Sequence, residues 1–193
     1  MSNKLIEFYN TYLNHFDVTN PSSVGWTDRD NQYGRFEALF RIGIRNNDKV
    51  LDYGCGLGHL NDYIKEVGLE DIDYLGIDIN PNYIDKAKSL YPDKNFMVGV
   101  SGDINSVNDV DYIIGSGVFT VNTTLEQIYN VVKLSYDKAN KGVAFNFLTK
   151  ESGLHPLNTY DKDQIHNLLS KIGKVDLLYG YLGNEDFTIH IKK

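Results

Sequence analysis

A single cysteine, Cys55, stands among the 193 residues. It excludes an intrachain disulfide and leaves too few thiols for a cysteine-rich metal site. Long apolar runs are missing too: none approaches the roughly 18–20 residues that a membrane-crossing helix needs. The opening "MSNKLIEFYNTYLNHF" carries acid and amide side chains where a secretory signal would have its apolar centre. Positive charge is in deficit, with 19 Lys and Arg against 26 Asp and Glu, a formal −7. Non-specific nucleic-acid binding relies on Lys and Arg to neutralise phosphates, so it is disfavoured. These absences lead us to expect a soluble cytoplasmic protein with no membrane partner and no metal.

What is present is ordinary for one globular domain: 41% hydrophobic and 23% charged residues in a chain long enough to bury a core. Residues 3–16 repeat apolar side chains at spacings of three and four, and so predict an amphipathic helix. The turn-rich stretch 17–32 reads as a loop, and "YGRFEALFRIGI" as a second helix. Beyond it, short apolar runs alternate with helical patterns. The runs are "DKVLDY", "DYLGID", "NFMVGV", "DVDYIIGSGVF" and "KGVAFNFLT"; "KVDLLYGYL" and "DFTIHIKK" then follow one another with only "GNE" between them. Alternation of this kind implies βαβ units and a parallel sheet. The last connection is too short for a crossover, so the last two strands should pair antiparallel. The expected α/β fold is Rossmann-like: seven strands, mostly parallel, the final strand antiparallel, helices on both faces. We divide the single domain 1–193 into an N-terminal helical extension or lid, 1–47, and an α/β core, 48–193.

The stretch "KVLDYGCGLGHL" places Gly54, Gly56 and Gly58 between the first strand and a helix. In parallel α/β sheets ligands bind at this end of the strands, where backbone N–H groups and a helix N-terminus favour an anion. Either the pyrophosphate of a dinucleotide or the carboxylate of an amino-acid-bearing cofactor could use it. A dinucleotide fingerprint reads G-x-G-x-x-G, whereas here His59 takes the place of the third glycine. Asp52, just ahead of the glycines, would repel a pyrophosphate but accept a hydrogen bond from a cationic amine. Asp78 ends the second strand and can accept both hydroxyls of a ribose. Asp103, in "GDIN", could receive an adenine amine, with Ile104 packing on the ring.

The ordered series "VLDYGCGLGHL", "YLGIDINPNYIDKAK", "GDIN" and "DYIIGSGVF" resembles the motifs of class I S-adenosylmethionine-dependent methyltransferases. The resemblance spans roughly residues 48–193. "GWTDRDNQYGRFEAL", "GSGVFTVN" and "GVAFNFLT" resemble bacterial and phage orphan methyltransferases of unknown substrate. The resemblance implies S-adenosylmethionine as cofactor and S-adenosylhomocysteine as product. It implies that Asp52 and the backbone of Gly54, Gly56 and Gly58 hold the methionine part. Asp78 would take the ribose, with Ile79 on the adenine beside Asp103 and Ile104. Ser116 would lie by the transferring methyl, and Gln32 and Arg35 would help to hold the carboxylate.

Methyl transfer from a sulfonium is an in-line displacement in which positioning carries much of the rate. A general base is needed only for a protonated acceptor; His155, in the loop after the fifth strand, is the best-placed candidate. Cys55 reads as packing rather than nucleophile, and His59 as a border of the cofactor site. Trp26 and Tyr33 read equally as parts of a lid or as anchors of the extension. Amino-directed DNA methyltransferases resemble one another in a polar Asn/Asp-Pro-Pro-aromatic tetrapeptide after the fourth strand; here that place reads "GSGVF". No second cysteine is available to attack a cytosine. A small molecule or a protein side chain is therefore the favoured acceptor, faced by Phe119, Asn122 and Asn146. Two other classes compete: a non-catalytic cofactor-binding subunit and an NAD-dependent oxidoreductase.

Overall fold

The computed structural model describes residues 2–153 and 157–193, the side chains of Ser2 and Glu151 excepted. Seven strands form one sheet in the order β3-β2-β1-β4-β5-β7-β6. They are β1 (Lys49–Tyr53), β2 (Asp73–Asp78), β3 (Asn95–Val98), β4 (Tyr112–Gly115), β5 (Gly142–Leu148), β6 (Val175–Tyr179) and β7 (Asp186–Lys192). Strand β7 runs antiparallel to both of its neighbours, β5 and β6, and the remaining pairings are parallel. β7 is thus the one reversed strand, wedged between two that run with the rest of the sheet.

Among the described residues six α-helices accompany it: α1 (Ser2–His15), α2 (Arg29–Phe40), α3 (Leu60–Glu66), α4 (Pro81–Leu90), α5 (Leu125–Lys138) and α6 (Lys162–Leu169). Helix α2 starts four residues before the point that apolar spacing indicates, because Asp28 caps it by accepting the Asn31 N–H at 2.8 Å. The loop 17–32 also contains a 310 turn, Pro21–Val24, and "GDIN" lies in another, Ser101–Ser106. Strand β4 stops at Gly115, so the residues from Ser116 to Phe119 belong to the loop beyond it.

Residues alternate between two cores because successive strand side chains point to opposite faces. Leu51, Ile113, Val143 and Phe145 pack with Ile128 and Val132 of α5 and Ile165 and Leu169 of α6. Val50, Tyr74, Ile114 and Ala144 pack with residues of α2, α3 and α4, among them Phe36, Leu60 and Ile84. Burying each large side chain of this kind stabilises the fold by about 1.5–3 kcal/mol before chain entropy is counted. Helix α1 joins neither core. It lies across the carboxyl ends of the strands, tied there by polar contacts: Asn80 and Asn82 side-chain amides donate to the Asn10 side-chain Oδ1 at 2.9 and 3.2 Å, and the Tyr83 hydroxyl donates to the Tyr9 backbone carbonyl at 3.1 Å. No described helix is long and apolar enough to cross a membrane.

Candidate active site

A cavity of about 470 Å³ opens where β1, β2 and β4 end, with α1 and the segment Val24–Thr27 as its other walls. Its size is within the range of a site for one or two small molecules.

Two acids face it. Asp52 leaves β1 on the side of the α2–α4 core and is only 5% exposed. Burial pushes its carboxyl up to about 7, opposed by the Tyr74 hydroxyl, which donates to Oδ2 at 2.9 Å, and reinforced by the nearby charge of Asp78. Asp78 ends β2. Its Oδ2 accepts the Gly56 N–H at 2.9 Å and its Oδ1 the Asn80 N–H at 2.8 Å. Burial raises this carboxyl as well, and the N–H donors hold the rise back. A carboxylate offers about four lone-pair sites, so Asp78 keeps acceptor capacity for hydroxyls.

The glycines act differently from the bare-amide cradle that the sequence brings to mind. The Gly54 N–H donates to the Ile77 carbonyl at 2.7 Å, the Gly56 N–H to Asp78, and the Gly58 N–H to the Cys55 carbonyl at 2.9 Å. None of the three is left for an anion. What these positions need is the left-handed backbone, with φ of 76°, 55° and 80°. Gly54 also needs to lack a side chain, since a Cβ there would lie 2.3 Å from the Val118 Cγ1. Gly58 does not line the cavity; it makes room for the Phe96 and Tyr91 rings.

Gln32 and Arg35 both line the cavity, brought there by the first turns of α2. Arg35, only 1% exposed, forms an ion pair with the equally buried Asp186 of β7, and its guanidinium stacks 4.5 Å from the centre of the Trp26 ring. Burial pushes Asp186 up to about 6 against the pull of that guanidinium. Arg35 therefore brings no uncompensated charge. The Gln32 amide lies 3.3 Å from His59 Nδ1, and His59 Nε2 lies 2.7 Å from the Val18 carbonyl. Both ring nitrogens of His59 are thus engaged on the cavity wall, and burial lowers its affinity for a proton.

Ile79, Ser116 and Cys55 line the cavity. Burial pushes the Cys55 thiol well up, which suits packing. Tyr33 packs edge-on against Tyr63 instead of reaching the site, whereas Trp26 is part of the wall.

Several expected residues lie elsewhere. Ile104 is fully buried in the core beneath α5, so its side chain cannot pack on a ligand. Asp103 accepts the Val100 N–H at 2.8 Å and sits behind Gly99; Gly99 and Val100 form the wall in its place. Phe119 is 3% exposed and stacks on Phe147, with ring centres 5.2 Å apart, as part of the core. Asn122 is exposed in a left-handed turn, φ 47°. Asn146 lies beneath the wall: its Oδ1 accepts the Gly117 N–H at 2.9 Å and its amide donates to Ser116 Oγ at 3.2 Å. It shapes the loop after β4 without facing the cavity. His155 lies outside the described residues.

The wall also contains residues that sequence reasoning did not single out. Phe8, Tyr9 and Tyr12 of α1, Thr120 and Val121 after β4, and Leu148 and Leu157 belong to it. The aromatic spacing in α1 was the available signal, but nothing local says which surface that stripe covers.

Residues 44–174 match the family described as "Methyltransferase domain". The chain belongs to that family. A short stretch is similar to a curated protein: the chain and "Putative methyltransferase 235L" of Invertebrate iridescent virus 6 are 37% identical over 60 residues. That is 31% of this chain and 22% of the viral protein, so the chain spans about a fifth of the curated relative it matches. Similar folds are found in a TehB-like SAM-dependent methyltransferase from Corynebacterium glutamicum (TM-score 0.59, 21% identity, 99% of this chain and 97% of that one). Another is the magnesium protoporphyrin IX methyltransferase of Synechocystis PCC 6803 with bound SAH (TM-score 0.65, 14% identity, 98% and 94%). A third is DesVI of Streptomyces venezuelae (TM-score 0.65, 14% identity, 84% and 92%). The chain shares the fold of these solved structures, with β7 reversed between β5 and β6.

The residues present suit such a cofactor better than a dinucleotide. The two acids on the cavity wall disfavour a pyrophosphate and the three glycine N–H groups, all engaged within the protein, offer it no donor, while carboxylates of this kind suit an ammonium and ribose hydroxyls.

Proposed function

We propose that this methyltransferase binds S-adenosylmethionine in the cavity and transfers its methyl group to a small-molecule acceptor. The observation that carries the reading is the pair of acids on one cavity wall, the buried Asp52 and the half-buried Asp78, beside glycine N–H groups already engaged within the protein. In this reading Asp52 holds the ammonium of the methionine part and Asp78 the ribose hydroxyls. Ile79 and Val100 pack on the adenine, and Ser116 borders the methyl. When bound, the cofactor supplies a methyl group made electrophilic by the sulfonium.

The chain's own residues position and enclose. Asn146 braces the Ser116–Gly117 backbone, and α1 with Trp26 excludes water from the reacting centres. A cavity of about 470 Å³ shared between cofactor and acceptor, with α1 as one wall, supports a small acceptor over a protein side chain.

Calorimetric titration with S-adenosylhomocysteine, with NAD alongside and Asp78→Ala as control, tests the reading. Micromolar binding that is lost in the variant, with none for NAD, is the expected result. Binding of NAD alone overturns it. Cofactor binding without turnover on any acceptor moves the weight to a non-catalytic subunit.

A further inference from the structure

We propose that the acceptor is an uncharged, largely apolar small molecule, seated between α1 and the loop after β4, with the Tyr9 and Thr120 hydroxyls as its polar handle. The inference rests on the methyl-transfer reading of the same cavity and adds the chemical class of the second substrate.

Charge is the first argument. Among the described lining residues the groups that carry charge are Asp78, Arg35 and, as it loses its proton near neutral pH, Asp52, and there is no lysine. The Arg35 charge is cancelled inside the protein by Asp186. An incoming carboxylate or phosphate would find no free cation among the described lining side chains, losing its hydration without replacement. A protonated amine would suit that field, but it has no lone pair with which to take a methyl group. An uncharged acceptor satisfies both conditions.

Shape and polarity are the second argument. Phe8, Tyr9 and Tyr12 stand together on α1, with the Phe8 ring 5.2 Å from Tyr9 and 5.4 Å from Tyr12. Across from them lies Val121, beyond Thr120. The walls meet in one polar contact, Tyr9 Oη to Thr120 Oγ1 at 3.3 Å. The Thr120 hydroxyl donates to the Gly117 carbonyl at 2.9 Å, so this pair is connected to the loop that begins with Ser116. Burial raises the Tyr9 phenol, which keeps its proton at neutral pH and gives it to Thr120 Oγ1, leaving the Tyr9 oxygen to accept from a ligand hydroxyl or N–H. Apolar surface with a single convergent hydroxyl pair is the pattern of a site that recognises an apolar body carrying one polar group.

Matched neutral and carboxylated probes test this on the full chain saturated with S-adenosylhomocysteine, by ligand-observed NMR: p-cresol with 4-hydroxybenzoate, indole with indole-3-carboxylate, and 4-methylaniline with 4-aminobenzoate. The neutral members should bind at least about tenfold more tightly than their partners. Val121→Lys should narrow that gap, and Tyr9→Phe should bring p-cresol down to the affinity of toluene. Equal or tighter binding of the carboxylates, or no binding of any neutral probe, overturns the inference. Failure to bind S-adenosylhomocysteine is read separately by calorimetry and overturns the cofactor reading instead, while the probe pairs still report charge preference on the free cavity.

Discussion

The Tyr74 hydroxyl donates to Asp52 Oδ2 at 2.9 Å, between neighbouring strands β2 and β1 and at the base of the cavity. The contact exists because Gly76 lies beside it. A Cβ on that glycine would fall 2.9 Å from the Tyr74 oxygen and 2.8 Å from the Cys55 sulfur. A strand glycine usually weakens a sheet; this one admits a tyrosine that tunes an acid.

Asp52 sets a pH dependence. Its native carboxyl is raised from 3.8 to about 7, so the native state holds this proton more tightly than the unfolded chain does. Its contribution to stability is full below about pH 4 and is lost as pH rises through about 7. Asp52→Asn should flatten that decline in urea midpoints. Affinity for S-adenosylhomocysteine should run the other way, tightening from pH 6 to 8 as the carboxylate forms to meet the ammonium. Tyr74→Phe removes the donor that favours the charged form and should move that binding profile to higher pH. A profile unchanged by both variants would sink the assignment.

Two glycines with similar backbone angles should respond differently to alanine. Gly54 has φ 76° and Gly68 φ 73°, but only at Gly54 does a Cβ clash, with Val118. Gly68→Ala carries the left-handed penalty of about 1–2 kcal/mol and should leave cofactor binding intact. Gly54→Ala adds overpacking of about 1–3 kcal/mol and should weaken binding by displacing the Val118 loop. Thermal shifts with and without S-adenosylhomocysteine separate the two effects.

Arg35→Met leaves Asp186 buried without its counter-charge, and loss of one partner of a buried pair costs about 3–5 kcal/mol. Because burial already raises Asp186 to about 6, the loss should be smaller at pH 5, where the acid is protonated, than at pH 8. Adding Asp186→Asn to Arg35→Met should recover much of the stability at pH 8. Urea denaturation of the wild type and the two variants at both pH values decides it.

Asn10→Ala removes the acceptor shared by the Asn80 and Asn82 amides, at about 0.5–1.5 kcal/mol for each hydrogen bond. Amides of α1 should then exchange faster with solvent while those of β1 and β5 keep their protection. Uniform loss of protection would mean that α1 belongs to the cooperative core.

The strand and helix pattern was legible because each apolar run is bounded by its own local signals: Asn80 capping α4 with Pro81 behind it, Thr124 capping α5, Asp161 capping α6. Asp52, Asp78, Ile79 and Ser116 could be placed because residues at the carboxyl ends of parallel strands must face the ligand side. Asp103, Ile104, Phe119 and Asn146 could not. Whether a residue just beyond a strand faces cavity or core depends on how the following loop folds back, as when Phe119 swings onto Phe147.

From local chemistry alone the sequence determined the alternation of elements, the reversed final pairing and the acids at the strand ends, since periodicity, caps and connection length act over a few residues. Only the tertiary structure decided that the glycine N–H groups are occupied, that Arg35 is neutralised by a residue 151 positions away, and that α1 roofs the cavity. Each of these depends on contacts between segments far apart in the chain, which no local pattern encodes.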